Sequence, residues 1–164
     1  HNSLIDVPLT TPYIPGPNKT IAKIEMSKIP LFGLIYKRGS VLVDRKSDDS
    51  RRKSLDEMKN VLRQGIHMCI YPEGTRNKTG QPLKSFYDGA FKLASDTGTP
   101  IIPTLCFNTA KVLPNNKSFY LMPHRLGMHF LEPVEVKKGE DVAALKEKVF
   151  EIMKNYFTSS KNIL

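Results

Sequence analysis

Gly65-Ile66-His67-Met68-Cys69-Ile70-Tyr71-Pro72-Glu73-Gly74-Thr75-Arg76 is the stretch on which the fold turns. Ile66, Met68 and Ile70 alternate with His67, Cys69 and Tyr71, the period of two expected of a β-strand. Pro72 has no N–H to give a ladder, so the strand stops there and a loop follows. Upstream, Ser54-Leu55-Asp56-Glu57 reads as a capping-box start, with Leu55, Met58, Val61 and Leu62 on one helical face. Gly65 ends that helix. Downstream, Ala90, Leu93 and Ala94 mark a second helix closed by Gly98, and residues 100–107 read as a buried strand.

The same alternation extends to both ends of the chain. Residues 21–26 and 41–43 read as strands on either side of a short apolar helix or turn over 29–36. Further strands are expected near 119–121, 128–130 and 134–136. Val142, Leu145, Val149, Ile152 and Tyr156 follow the 3.6 period of a C-terminal helix. Strands alternating with helices predict an α/β fold, a single domain with a largely parallel or mixed sheet flanked by helices.

Loops at strand ends are where open α/β sheets bind ligands. In the loop after the central strand, Gly74 lets the backbone approach a ligand closely. Thr75 offers a hydroxyl and Arg76 a planar fork that grips phosphate bidentately. A solvated turn with an ordinary surface arginine would fit the same residues. A second strand end, Lys37-Arg38-Gly39-Ser40-Val41-Leu42-Val43-Asp44-Arg45-Lys46, carries cations on both sides. That pattern suits a phosphorylated ligand or a solvated basic edge equally.

The chain begins His1-Asn2-Ser3-Leu4-Ile5-Asp6. Histidine titrates near neutrality and suits general-base work, and a carboxylate on its second ring nitrogen fixes the tautomer. On a regular helix, positions i and i+5 lie about 140° apart, so His1 and Asp6 meet only if the segment turns between them. Asn2 and Ser3 favour such a turn into a short helix bounded by Pro8 and Pro12. Any surface His and Asp can fall at this spacing.

One hundred and sixty-four residues suit one domain with a real core. Lys+Arg exceeds Asp+Glu by 25 − 16 = 9, which favours an anionic partner. No basic helix or aromatic binding motif accompanies the charge, which argues against nucleic-acid readout. The cluster Arg45-Lys46 with Arg51-Arg52-Lys53 is either a solvated loop or a docking patch for anionic lipid or CoA. Two cysteines suggest no disulfide framework and fit a reducing cytosol. Cys69 lies mid-strand without a base nearby in sequence, which reads as a core thiol rather than a nucleophile. His124 and His129 lack a third ligand at metal spacing, so no metal site is expected. No signal peptide is visible, and the apolar run 29–36 contains Pro30 and is too short to span a bilayer.

Taken in order, these blocks resemble the glycerolipid acyltransferases, above all the 1-acyl-glycerol-3-phosphate (lysophosphatidate) acyltransferases. His1 and Asp6 match that family's H-x4-D block. Gly39 to Arg45 match its G-x-[IV]-[FL]-[IV]-D-R block, and Tyr71 to Arg76 match [FY]-P-E-G-T-R without a break. Pro100-Ile101-Ile102-Pro103-Thr104 match its fourth block. The sequence departs from F-K-x-G-A-F at Phe86-Tyr87-Asp88-Gly89-Ala90-Phe91, where Lys84 would supply the cation from a shifted position. Asn77 stands where the family usually has Ser.

The resemblance implies an acyltransferase domain over 1–164, lacking an upstream membrane-associating segment. It implies transfer of a fatty acyl group from acyl-CoA or acyl carrier protein to the 2-hydroxyl of 1-acyl-glycerol-3-phosphate, giving phosphatidate. Glycerol-3-phosphate or another lyso-lipid is the alternative acceptor, and a non-catalytic basic module that binds lipid or nucleic acid is the alternative class. His1 would be the base and Asp6 its orienter. Gly74, Thr75 and Arg76 would hold the acceptor's phosphate, with Arg38 or Arg45 adding charge and Glu73 shaping the loop and bonding the acceptor. The expected partners are a lysophospholipid, an acyl thioester and an anionic membrane surface on the cytosolic side. No cofactor beyond the acyl donor is implied.

Overall fold

The computed structural model describes residues 3, 6–30, 32–114 and 122–160. Along the chain run α1 (Asp6–Thr10), β1 (Asn18–Lys23), α2 (Phe32–Gly39), β2 (Ser40–Val43), α3 (Asp48–Arg63) and β3 (His67–Cys69). Then follow α4 (Gly89–Thr97), β4 (Thr104–Phe107), α5 (Thr109–Val112), β5 (Gly127–Phe130) and α6 (Val142–Ser160). The alternation makes this an α/β protein. Two compact units divide the chain: Thr11–Ile70, and His1–Thr10 together with Tyr71–Leu164.

Residues 11–70 form a three-stranded parallel sheet in the order β2-β1-β3. Thr20 pairs with Ser40 on one side and with Cys69 on the other, so β1 is central. Parallel neighbours need crossover connections. Here α2 lies between β1 and β2 in the chain, and α3 between β2 and β3. The chain runs from β1 to one side and then crosses back to the other, so the carboxyl ends of β1 and β3 flank a topological switch point. Val41 and Val43 are buried on β2, and Met58 and Val61 on α3.

Three boundaries differ from the sequence reading. The first strand begins at Asn18, directly after Pro17, and ends at Lys23. Residues 24–28 instead wind into a 3-10 turn in which the Ser27 hydroxyl donates to the Ile24 carbonyl at 2.7 Å. The helix expected over 29–36 is α2, which starts at Phe32. It is packed so closely that a Cβ on Gly33 would lie 2.3 Å from the Ser27 carbonyl oxygen. The third helix starts two turns before Ser54. Ser47 caps it, its hydroxyl accepting the Ser50 N–H at 3.2 Å, and Asp48 and Asp49 stand in the first turn where the helix dipole favours them. Ser54 is buried inside that helix and donates to the Arg51 carbonyl. Gly65, at φ +73°, ends α3 as expected.

The second unit has its core between α4, α6 and the segment around Val134. Phe86, Phe91, Ala94, Val134, Val136, Leu145 and Val149 are buried together. The Phe86 ring meets Phe150 edge-on at 5.0 Å. Full burial of a side chain such as Phe91 or Leu145 stabilises by about 1.5–3 kcal/mol each. Gly98 closes α4 in the left-handed region, as its position predicts. The stretch 100–107 is not one strand. Pro100 and Pro103 carry no N–H, so the ladder is confined to β4, paired antiparallel with β5 from Thr104↔Phe130 to Phe107↔Gly127. The expected strand at 134–136 is a single bridge between Ile101 and Val134. The strand expected at 119–121 lies outside the described residues.

Candidate active site

Asp6 opens α1 and is 1% exposed. Its Oδ2 accepts the Ser3 main-chain N–H at 2.9 Å, while the Asp6 N–H turns back toward the Ser3 carbonyl at 3.5 Å. This has the S-x-x-D spacing of one half of a capping box, in which an acid reaches back to the N–H three residues before it. The Ser3 hydroxyl is directed elsewhere, donating to the Leu113 carbonyl at 2.9 Å. Pro8 does not bound the helix, as the sequence reading had it. It sits in the first turn, where its missing N–H costs no hydrogen bond. His1 lies outside the described residues.

Tyr71 to Arg76 form a tight loop. The Gly74 N–H donates to the Tyr71 carbonyl at 3.0 Å and the Thr75 N–H to the Glu73 carbonyl at 2.7 Å. Gly74 takes φ +66°, a conformation that a side chain would strain. Glu73 is 3% exposed, and its Oε2 accepts the Lys84 main-chain N–H at 2.9 Å. The Lys84 ammonium reaches Thr75 Oγ1 at 2.7 Å. Tyr87 N–H donates to the Pro72 carbonyl at 2.8 Å, so residues 84–87 run back along the loop. Thr75 is exposed and Arg76 half-buried.

The loop and the Asp6 segment are fastened together. Thr10, at the end of α1 and 4% exposed, places its hydroxyl 2.6 Å from the Tyr71 hydroxyl. A short O–H···O contact of this kind holds two backbone segments at fixed separation. Asp6, Glu73, Gly74, Thr75 and Arg76 therefore share one unit. Arg38, in the last turn of α2, and Arg45, just past β2, are exposed residues of the other unit. The Arg45 carbonyl accepts the Arg51 guanidinium at 3.2 Å.

Several contacts that matter to this geometry carry no sequence motif. Thr10 reads as an ordinary residue, and Tyr71 as the first position of a motif, until the fold joins their hydroxyls. Ser3 and Asp6 do carry a signal, the S-x-x-D spacing of a capping box. Lys84, singled out in the sequence as a displaced cation, sits eleven residues from Glu73, and its main-chain bond to that carboxylate is what no sequence spacing announces.

The remaining temptations have structural explanations. Burial pushes the Cys69 thiol up from its usual 9.0 to about 11, which leaves it protonated at neutral pH and a poor nucleophile. His129 Nδ1 is 2.9 Å from the Tyr156 hydroxyl, and its ring packs 4.9 Å from Phe107. Among the described residues no group of three or more His, Cys, Asp or Glu is placed to hold a metal ion. A groove of about 880 Å³, lined by Phe130, Pro133, Val134, Ile152 and Tyr156 among others, contains none of the candidate residues.

Comparison with known proteins bears on this site. Residues 1–106 match the model of the family described as Acyltransferase. A 1-acyl-sn-glycerol-3-phosphate acyltransferase of Cocos nucifera is 32% identical over 143 residues, covering 86% of this chain and 46% of that protein. The protein of the same description from Salmonella typhimurium is 30% identical over 144 residues, covering 86% and 57%. The crystal structure of the 1-acyl-sn-glycerophosphate (LPA) acyltransferase PlsC from Thermotoga maritima superposes with a TM-score of 0.78 at 25% identity, over 99% of this chain and 64% of that one. The chain thus spans about half the length of the curated relatives it matches.

Proposed function

The chain belongs to the acyltransferase family, and from that membership we propose that it transfers a fatty acyl group from acyl-CoA or acyl carrier protein to the 2-hydroxyl of 1-acyl-glycerol-3-phosphate. One observation carries the reading: the Thr10–Tyr71 hydrogen bond fastens the buried Asp6 segment to the Glu-Gly-Thr-Arg loop. In this reading His1 takes the proton of the attacking hydroxyl. The oxygen adds to the thioester carbonyl, the C–S bond breaks, and the thiolate leaves with the proton returned from the imidazolium. Asp6 orients His1 and stabilises its charged form. Arg76 grips the acceptor's phosphate with its fork while Thr75 and the open backbone at Gly74 approach it. Glu73, which is buried, holds the loop in shape.

The setting proposed is peripheral attachment to the cytosolic face of an anionic membrane. It is supported by the net charge of +9, the exposed Arg45 and Lys46, and the exposed apolar side chains of α2. Among the described residues no helix is long and apolar enough to cross a membrane.

The test is a panel of acyl thioesters against lysophosphatidate, glycerol-3-phosphate and other lyso-lipids, with the chain in its full natural polypeptide. Thioester loss should depend on acceptor and run fastest with lysophosphatidate. His1→Ala should lower it by about 10²-fold or more, the usual effect of losing a general base. Faster turnover of glycerol-3-phosphate would reassign the acceptor. Salt-sensitive lipid binding with no acyl transfer would replace the enzyme with a binding module.

A further inference from the structure

We propose that Ser3 is a positioning residue for the Asp6 carboxylate, held in place from α5 through the Leu113 carbonyl. The proposal rests on reading Asp6 as the orienter of the base His1. Helix α1 has five residues, too few to hold its own shape in water. The turn before it is loosely closed, because the Asp6 N–H lies 3.5 Å from the Ser3 carbonyl, past the usual reach of about 2.7–3.2 Å. The bearing of α1 therefore comes from outside it. At one end Thr10 meets Tyr71, and before the other the Ser3 hydroxyl donates to the Leu113 carbonyl. The Ser3 main-chain N–H in turn donates to Asp6 Oδ2 at 2.9 Å. One residue thus carries both bonds, so a shift of its hydroxyl moves the amide that holds the acid.

The anchor is itself built to stay in place. Strand β4 ends on the buried Phe107, and Asn108 then turns the chain at φ +66°. Among the described residues it is the one non-glycine in the left-handed region, which asparagine tolerates better than most. That turn starts α5, whose Thr109 and Val112 are buried. The Leu113 N–H closes on the Thr109 carbonyl at 3.0 Å. The Leu113 carbonyl lies past the end of the helix, where no donor is available within it. Ser3 supplies one at 2.9 Å, across 110 residues of chain. Ser3 is 0% and Asp6 1% exposed, so bulk water does not stand in for either bond. With the Ser3 contact gone, α1 would stay tied through Thr10 and pivot there, carrying the carboxylate out of line.

The experiment compares Ser3→Ala, Asn108→Val, Asn108→Gly and Ser95→Ala with the parent in the full natural polypeptide. Ser95 is the control. It is buried in the same unit, and its hydroxyl donates to the Glu140 carbonyl at 2.7 Å, a bond of the same kind. Thermal melts identify the variants that stay folded, and initial rates give kcat with KM for lysophosphatidate and for the acyl thioester. Ser3→Ala should lower kcat about 10- to 100-fold, the effect of a small misplacement near the reacting atoms, and leave both KM values within twofold. The acidic limb of its kcat/KM profile should move to lower pH, because a displaced carboxylate stabilises the imidazolium less. Asn108→Val should give the same pattern by displacing α5. Asn108→Gly keeps the bend, gives up only an exposed contact with the Arg125 carbonyl, and should match the parent in kcat. Ser95→Ala should lower the melting temperature and leave kcat alone. A folded Ser3→Ala with parental kcat, or an equal fall in Ser95→Ala, would overturn the proposal. Should Ser3→Ala not fold, the Asn108 pair decides, and equal kcat in Val and Gly overturns it. A parent that transfers no acyl group removes the acyltransferase reading and this role with it, whereas an active parent indifferent to Ser3 removes this role alone.

Discussion

Arg76 closes a loop whose shape is set by Gly74 at positive φ and by the buried Glu73 carboxylate. Replacing it with Ala should cost about 1.5–3 kcal/mol of acceptor interaction, the range for a hydrogen bond to a charged group. Lys should restore little, because it lacks the planar fork. Acceptor KM from initial rates checks both substitutions, and an unaltered value for Arg76→Ala would remove it from the phosphate site. Cys69 has a consequence for pH. Its folded-state pKa of about 11 lies above its usual 9.0, so above pH 9 the unfolded chain sheds a proton that the folded chain keeps. Stability is therefore intact below pH 9 and falls as pH rises toward 11, by at most roughly 2–3 kcal/mol. Urea unfolding from pH 8 to 11 should show that decline, and Cys69→Ala should lose this part of it. The sequence places Cys69 mid-strand in the core, whereas it is the last residue of β3 and half-buried. The roles of Thr10 and Tyr71 were not legible, because they come from a contact across sixty-one residues.

The helices carry the next level of meaning. Helix α2 packs on the preceding turn at a point where only glycine fits, since a Cβ on Gly33 would fall 2.3 Å from a main-chain oxygen. A backbone atom cannot rotate aside as a side chain can. Gly33→Ala should therefore destabilise by about 1–3 kcal/mol, despite alanine's better helix propensity. Denaturant midpoints measure this, and a stabilised variant would mean that the turn yields. The sequence reading anticipated α4 and α6 because their apolar periods are strong and uninterrupted. It misplaced the start of α3 because Ser54-Leu55-Asp56-Glu57 satisfies the capping pattern as well as Ser47 does. What favours Ser47 is two acids in the first turn and the Asp49–Lys53 pair one turn on, small effects that add up over a polar helix. The first strand shifted because residues 24–28 close hydrogen bonds among themselves, which alternation of apolar residues does not report.

At the scale of the whole molecule, the charge of +9 and the apolar side chains Leu34 and Ile35 on α2, 57% and 66% exposed, bear on the membrane proposal. Vesicle sedimentation should show binding to anionic liposomes that weakens as salt rises, since each basic residue near such a surface contributes about 1 kcal/mol and is screened. Leu34→Ser with Ile35→Ser should remove the part that survives high salt. Equal, salt-independent binding to neutral and anionic vesicles would defeat the electrostatic half of the idea. The α/β class was legible because three strand–helix alternations carry clear periods. The break into two units was not, because residues 10–11 and 70–71 bear no linker composition to mark it. That same topology sets a timetable for synthesis. Ser3 waits for the carbonyl of Leu113, one hundred and ten residues later, and Thr10 waits for Tyr71. At about 5–20 residues per second, a ribosome needs roughly 5–20 s between making the first partner and the last. During that interval the Ser3 hydroxyl lacks its partner, and a nascent polypeptide stopped between residues 71 and 113 would hold its candidate acid-bearing segment through Thr10 and Tyr71 without the Ser3 contact.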